Sequence, residues 1–252
     1  MAVEHGGGMN LKWGAIVLAA GQGRRMHSRV AKQFLLLNGR PVIYYALKAF
    51  EESQAESVVL VTGEEEIPYC REEIVEKYGF KKVKAVVAGG AERYHSVRNG
   101  LREFQKTFSK DDIVLIHDGA RPLLNSAIIE RTLAAASQYH ACTAAMPVKD
   151  TIKVADEEAF AETTLDRSRL WQIQTPQAFS CGLILSAYEK LFADPELQKG
   201  ITDDAMVVES MTGERVKLVE GSYENLKVTT PEDMVIAECL LKEREKNQTI
   251  RF

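Results

Sequence analysis

Apolar residues in this chain gather in short unbroken runs, separated by stretches with helical spacing. The first run, WGAIVLAA (Trp13–Ala20), shows no polar alternation and ends at a glycine. That is the pattern of a strand buried on both faces. SVVLVTG, VKAVVAGG, DIVLIHDGA and CTAAMPV repeat it further along. Between them, PVIYYALKAFEES predicts a helix with Pro41 at a favourable first position, and apolar spacing predicts helices over Ile67–Tyr78, Tyr94–Phe108 and Ser126–Tyr139. Strands alternating with helices of this length predict an α/β fold with a doubly wound, mostly parallel sheet.

The alternation loosens after Val148. KDTIKVADEEAFAETTLDRSRLWQIQTPQ mixes β-branched residues, charges and turns. A two-stranded arm over about 149–175, projecting from the sheet, fits it better than a surface loop, because structureless loops of this length are uncommon. A helix over Gly182–Phe192, the segment ITDDAMVVES, a strand near VKLVEG and a helix from Pro231 follow. One domain over 9–252 is expected. Met1–Gly8 (MAVEHGGG) is expected to be a cloning remnant before a natural start at Met9.

Composition narrows the function classes. The 252 residues carry a net charge of −4, which disfavours general nucleic-acid binding. The apolar run Ala15–Ala20 is too short to span a membrane. Cys70, Cys142, Cys181 and Cys239 form no CxxC pair, so reduced thiols in a cytoplasmic protein are expected, without a zinc site or disulfide framework.

Against that acidic background LAAGQGRRMHSRVAKQ, Leu18–Gln33, concentrates three arginines and a lysine directly after the first strand. Gly21 and Gly23 allow backbone N–H groups to approach an anion, and Arg24, Arg25 and Lys32 can grip phosphate oxygens. A dinucleotide fingerprint is excluded because Met26 stands where its third glycine belongs, and no Walker A spacing occurs. In a doubly wound sheet, ligands bind beyond the carboxyl ends of the strands. GQGRRM, GGAERYHS and HDGARP all fall at such ends. Asp118 suits a divalent cation that leaves its other positions to water and phosphates, although Asp before Gly is also ordinary turn chemistry. Ser96 suits either a base edge or a helix cap. Lys227, in NLKVTTPED at the end of an expected strand, is either a site cation or a surface charge.

Taken together, GxGxRM with a lysine six residues after the Met, GGAERYHSV, HDGARP, VKDTIK, LDRSRLWQIQTPQ, ITDDA and NLKVTTPED resemble the 2-C-methyl-D-erythritol 4-phosphate cytidylyltransferase family, from about Ile16 to Glu238. The resemblance implies transfer of a cytidylyl group from CTP to methylerythritol phosphate with magnesium, releasing pyrophosphate. It implies that Arg25, Lys32 and Lys227 are catalytic and that Ala19, Ala20, Gly21, Gly90, Ala91, Ser96 and Gly119 bind CTP. By the same resemblance Asp118 holds the metal, and Arg121, Thr151 and Arg167 bind the sugar phosphate. Thr151 and Arg167 would act across a homodimer formed through the arm. Ribitol 5-phosphate is the alternative acceptor; an inactive nucleotide-binding protein of the same fold is a second alternative. Two positions depart from the family pattern. Ala31 stands where Pro is frequent, and Gly119 where Ala is common.

Overall fold

The structure, a computed structural model, describes residues 11–21 and 31–249, the last three as backbone only. Seven strands form the central sheet: β1 (Trp13–Leu18), β4 (Ser57–Thr62), β5 (Val83–Ala88), β6 (Ile113–Asp118), β7 (Ala141–Pro147), β10 (Trp171–Ser180) and β11 (Lys217–Glu220). Their spatial order is β11-β7-β10-β6-β1-β4-β5. Six run parallel, and β10 lies antiparallel between β6 and β7. Two small ribbons flank the sheet, β2 (Leu36–Leu37) with β3 (Arg40–Pro41), and β8 (Lys153–Ala155) with β9 (Ala161–Thr164).

The unbroken apolar runs are explained by helices on both faces. Successive side chains of a strand point to opposite sides. Ala15 and Val17 therefore pack with α1 (Val42–Glu51), α2 (Ile67–Tyr69) and α4 (Ser126–Tyr139). Ile16 packs on the other face with α3 (Arg93–Phe104), α5 (Cys181–Ala193) and α6 (Asp204–Thr212). A third apolar cluster seats α7 (Pro231–Thr249) against Leu37, Val42, Leu123 and Val228.

Several elements depart from the sequence pattern. The expected helix over Ile67–Tyr78 is α-helical only over Ile67–Tyr69 and continues as π-helix over Cys70–Glu76. The helix expected to end at Phe108 ends at Phe104. Phe108 still packs edge-on against Phe104 at 4.6 Å, which preserves the apolar spacing beyond the helix. Pro41 precedes α1 as its cap residue rather than opening it. The expected arm contains the β8–β9 hairpin, but from Trp171 onward the chain has entered the central sheet as β10. All four cysteines are free thiols. Among the described residues, no helix is long and apolar enough to cross a membrane.

This topology puts β6 on one side of β1, and β4 and β5 on the other. The connections diverge between β1 and β6, and a crevice opens at their carboxyl ends. Leu18 and Asp118 are register partners there, so the two loops that leave these strands begin side by side.

Candidate active site

A cavity of about 540 Å³ occupies the crevice. Its walls come from the segments picked out by their position after strands: Ala19, Ala20 and Gly21 after β1, Gly90, Ala91 and Ser96 after β5, and Asp118 at the end of β6. Lys32 and Lys227 line it too, as do Gln33 and Arg93. Arg25, with Gly23 and Arg24, lies outside the described residues.

Close backbone approach shapes the cavity floor. The Gly119 N–H donates to the Leu18 carbonyl at 2.8 Å, and a Cβ at Gly119 would meet that same oxygen at 2.9 Å. Glycine relieves this contact, and an alanine here would need the two strand ends to part slightly. Gly89 plays a similar part, since a Cβ there would lie 2.5 Å from the Ala20 Cβ and 2.8 Å from Ser96 Oγ. Ser96 is not the cap of α3, which is Glu92. Its hydroxyl accepts from the Gly90 N–H at 3.1 Å and donates to the Glu92 carbonyl at 3.4 Å, bracing the loop before the helix. Gln33 is buried and donates to the Ala19 carbonyl, so the segment after the basic loop is fastened to its start. Ala31 has φ −60° and ψ 137°, a conformation proline also adopts. The backbone at this position is therefore one that proline would allow.

Asp118 is the electrostatic centre. Lys227 Nζ lies 2.7 Å from Oδ2, Arg93 Nε 3.6 Å from Oδ1 and Arg121 Nε 3.9 Å from Oδ2. Burial alone would raise the carboxyl's pKa, but Lys227, Arg93 and Arg121 together hold it well below the usual carboxylate range. Asp118 is therefore ionised at any working pH. Lys227 is not at a strand end, as expected, but in the irregular segment before α7. That segment is fixed by the Val228 N–H, which donates to the Ala120 carbonyl at 2.8 Å.

Two layers support Asp118: Arg93, which was assigned no role from sequence, and Arg121, which was expected at the sugar phosphate. Arg93 also pairs with Asp204 at 2.7 Å. Asp204 is fully buried, accepts from the Tyr188 hydroxyl at 2.6 Å, and has its own N–H bound by Gln177 Oε1 at 3.0 Å. Burial works against the Arg93 charge, but Asp204 and Asp118 raise its pKa above the ordinary guanidinium value. Arg121 is also buried and donates to the Asn225 carbonyl at 2.7 Å. Its Nε has no hydrogen-bond partner among the described residues, and Arg121 does not line the cavity.

His117 and Thr175 hold the other side of Asp118. The Asp118 N–H donates to Thr175 Oγ1 at 3.0 Å, and that hydroxyl contacts His117 Nδ1 at 3.0 Å. His117 Nε2 faces the Arg121 carbonyl at 3.3 Å. Burial pushes the His117 pKa down from 6.5 to about 4, so the ring is neutral at pH 7. The unfolded chain takes up this proton near pH 6.5 and the folded protein only near pH 4. Stability is therefore complete above pH 6.5 and is lost as pH falls from 6.5 to 4, by roughly 3 kcal/mol. His117→Asn should flatten that fall in urea denaturation between pH 7 and pH 4; an unchanged pH slope would refute the assignment.

Thr151 and Arg167, expected at the sugar phosphate, are not brought to the cavity within one chain. Both are exposed, and Arg167 Nη1 donates to the Lys149 carbonyl at 2.6 Å.

The family profile for 2-C-methyl-D-erythritol 4-phosphate cytidylyltransferase matches residues 14–243. A protein of that name from Lachnospira eligens is 51% identical over 229 residues, which is 90% of this chain and 98% of the relative. One from Lachnoclostridium phytofermentans is 46% identical over 92% of this chain and 97% of its own length. Among solved structures, the 4-diphosphocytidyl-2C-methyl-D-erythritol synthase from Anaerococcus prevotii superposes with a TM-score of 0.76 at 31% identity, covering 92% of this chain and 96% of that one. The Thermus thermophilus cytidylyltransferase superposes with a TM-score of 0.73 at 30% identity. The fold, and sequence over nearly the whole chain, are thus shared with these relatives: this chain belongs to the 2-C-methyl-D-erythritol 4-phosphate cytidylyltransferase family.

Proposed function

We propose that this site transfers the cytidylyl group of CTP to the phosphate of 2-C-methyl-D-erythritol 4-phosphate, releasing pyrophosphate. The observation that carries the reading is one ionised, nearly buried carboxylate, Asp118, surrounded by Arg93, Arg121 and Lys227, in a cavity that Lys32 also lines. An acceptor phosphate oxygen is already ionised at neutral pH and attacks the α-phosphorus without a general base. The new P–O bond forms as the α–β bridging P–O bond breaks, and that electron pair leaves on pyrophosphate. The difficulty is electrostatic, because two anions must meet while charge moves to the leaving group. Preorganised cations answer it by positioning and by charge stabilisation.

In this reading Lys32 and Arg25 face the triphosphate, and Lys227 faces the acceptor phosphate. Ala19, Ala20 and Gly21 line the nucleotide's path, with Gly90, Ala91 and Ser96 beside the base. Magnesium fits Asp118 as a passenger on CTP. Asp118 would hold the ion, with phosphate oxygens and water completing its shell as magnesium allows; among the described residues no group of three or more acidic, His or Cys side chains could hold an ion by itself. The ion would share the triphosphate charge. The family profile and the relatives above carry the methylerythritol phosphate name, which favours that acceptor over ribitol 5-phosphate. Pyrophosphate release with CTP and each acceptor separately tests this. Turnover only with ribitol 5-phosphate would reassign the substrate, and CTP binding without turnover would leave a nucleotide-binding protein.

A homodimer and a cytoplasmic location belong to the same reading. Every residue from Thr151 to Arg169 is exposed, including Ile152, Val154, Phe160 and Leu165. A lone two-stranded hairpin with exposed apolar residues is marginal by itself and is stabilised by covering. A partner subunit's cavity would then receive Thr151 and Arg167. Ile152→Asp combined with Val154→Asp should yield monomers in sedimentation and lower turnover by about tenfold, the scale of misplaced substrate contacts. A dimer with full activity would refute it.

A further inference from the structure

Three cations approach Asp118, and they are not equivalent. Arg93 is tied to Asp204 at 2.7 Å and stays 3.6 Å from Asp118. Arg121 is tied to the Asn225 carbonyl at 2.7 Å and stays 3.9 Å away. Lys227 alone makes a short contact, 2.7 Å, and among the described residues Asp118 is its only charged partner. Its side chain is 39% exposed at the cavity, while the backbone beside it is fixed through Val228. The arginines are built in, whereas the lysine is free to leave.

A magnesium ion binds carboxylate oxygen at about 2.0–2.1 Å. An ammonium at 2.7 Å from the same oxygen stands where that ion would have to come in. We propose that Lys227 is the resident placeholder for the divalent cation: its ammonium sits on Asp118 until the ion carried by CTP displaces it, and the released side chain then serves the acceptor phosphate. The inference rests on the reading that Asp118 receives the ion. Two consequences follow from the charges. Without nucleotide, the ammonium covers the Asp118 carboxylate, which Arg93 and Arg121 approach only at 3.6 and 3.9 Å, and so lessens its repulsion of the incoming triphosphate. With nucleotide bound, its release arms the acceptor site only after CTP is in place.

The test is equilibrium binding of CTP by calorimetry, with excess Mg²⁺ and again with EDTA, without acceptor. The quantity read is the ratio of the two dissociation constants. Lys227→Met should weaken metal-free CTP binding while sparing or strengthening Mg·CTP binding, so its ratio rises about tenfold or more over the unsubstituted protein. Lys227→Gln provides the same reading through a polar side chain, and Lys227→Arg, which keeps the charge, should keep the original ratio. Equal weakening with and without metal in Lys227→Met and Lys227→Gln would overturn the placeholder, because Lys227 would then be only a contact to the nucleotide. Asp118→Asn separates the premise from the inference. Its ratio should collapse towards that of CTP free of any metal preference by the protein, and an unchanged ratio would show instead that Asp118 is not the ion's seat.

Discussion

Asp118→Asn should lower kcat by roughly a hundredfold to a thousandfold, the scale of losing one preorganised group that stabilises charge in the transition state. Asparagine keeps the shape and can still present an oxygen to Lys227. It cannot neutralise the three cations around position 118, nor hold a divalent ion with the same strength. The fold has its own supports at this point. Arg93 retains Asp204, Arg121 retains the Asn225 carbonyl, and the backbone of residue 118 retains Thr175. The chain should therefore still fold, with a stability loss of about 1–3 kcal/mol for a weakened buried polar contact. Urea denaturation and initial rates on one preparation separate the two. A folded variant with near-normal turnover would remove Asp118 from the chemistry.

Lys32→Ala should cost roughly a hundredfold in kcat. Lys32 lines the cavity at the start of a short helical turn that Gln33 fastens to the β1 exit, so its position is set by the backbone. If it steadies charge on the departing pyrophosphate, kcat and kcat/KM fall together, because the interaction strengthens only as the bridging bond breaks. A rise in KM for CTP with kcat intact would make Lys32 a ground-state binding contact instead. Arg25→Ala is expected to behave as Lys32→Ala does, and parallel kinetics would tie the two ends of the basic loop to one task.

The fold was readable where burial is uniform. Four of the five apolar runs proved to be strands buried on both faces, β5 being a half-buried edge strand, and the glycines after several of them mark the crevice. β10 was hidden by its own function. WQIQTPQAFS carries three glutamines and a proline, which read as polar and as strand-breaking. In the structure Gln177 is buried and bound to Asp203 and to the start of α6, and Gln174 to Ser222 and Asn225. Buried amides that meet partners 26 to 51 residues away leave no local signature. The site shows the same division. Asp118 and Lys227 were accessible through short blocks of sequence, whereas the Arg93–Asp204 pair spans 111 positions and appears only when α3 and α6 are packed on one face. ITDDA and GGAERYHS each held half of it.

The reversed strand ties together two parts of the molecule that look unrelated along the chain. β10 starts with Trp171 and Ile173, both partly exposed at the base of the arm. Its pairing with β7 is interrupted between Ile173 and Gln177, and the interruption carries Thr175, whose hydroxyl accepts the Asp118 N–H. Two positions along the chain and one hydrogen bond separate exposed Ile173 from the backbone of the central carboxylate. A change at the base of the arm is thus passed to the Asp118 backbone through the Thr175 hydroxyl, so what covers the arm also bears on the carboxylate.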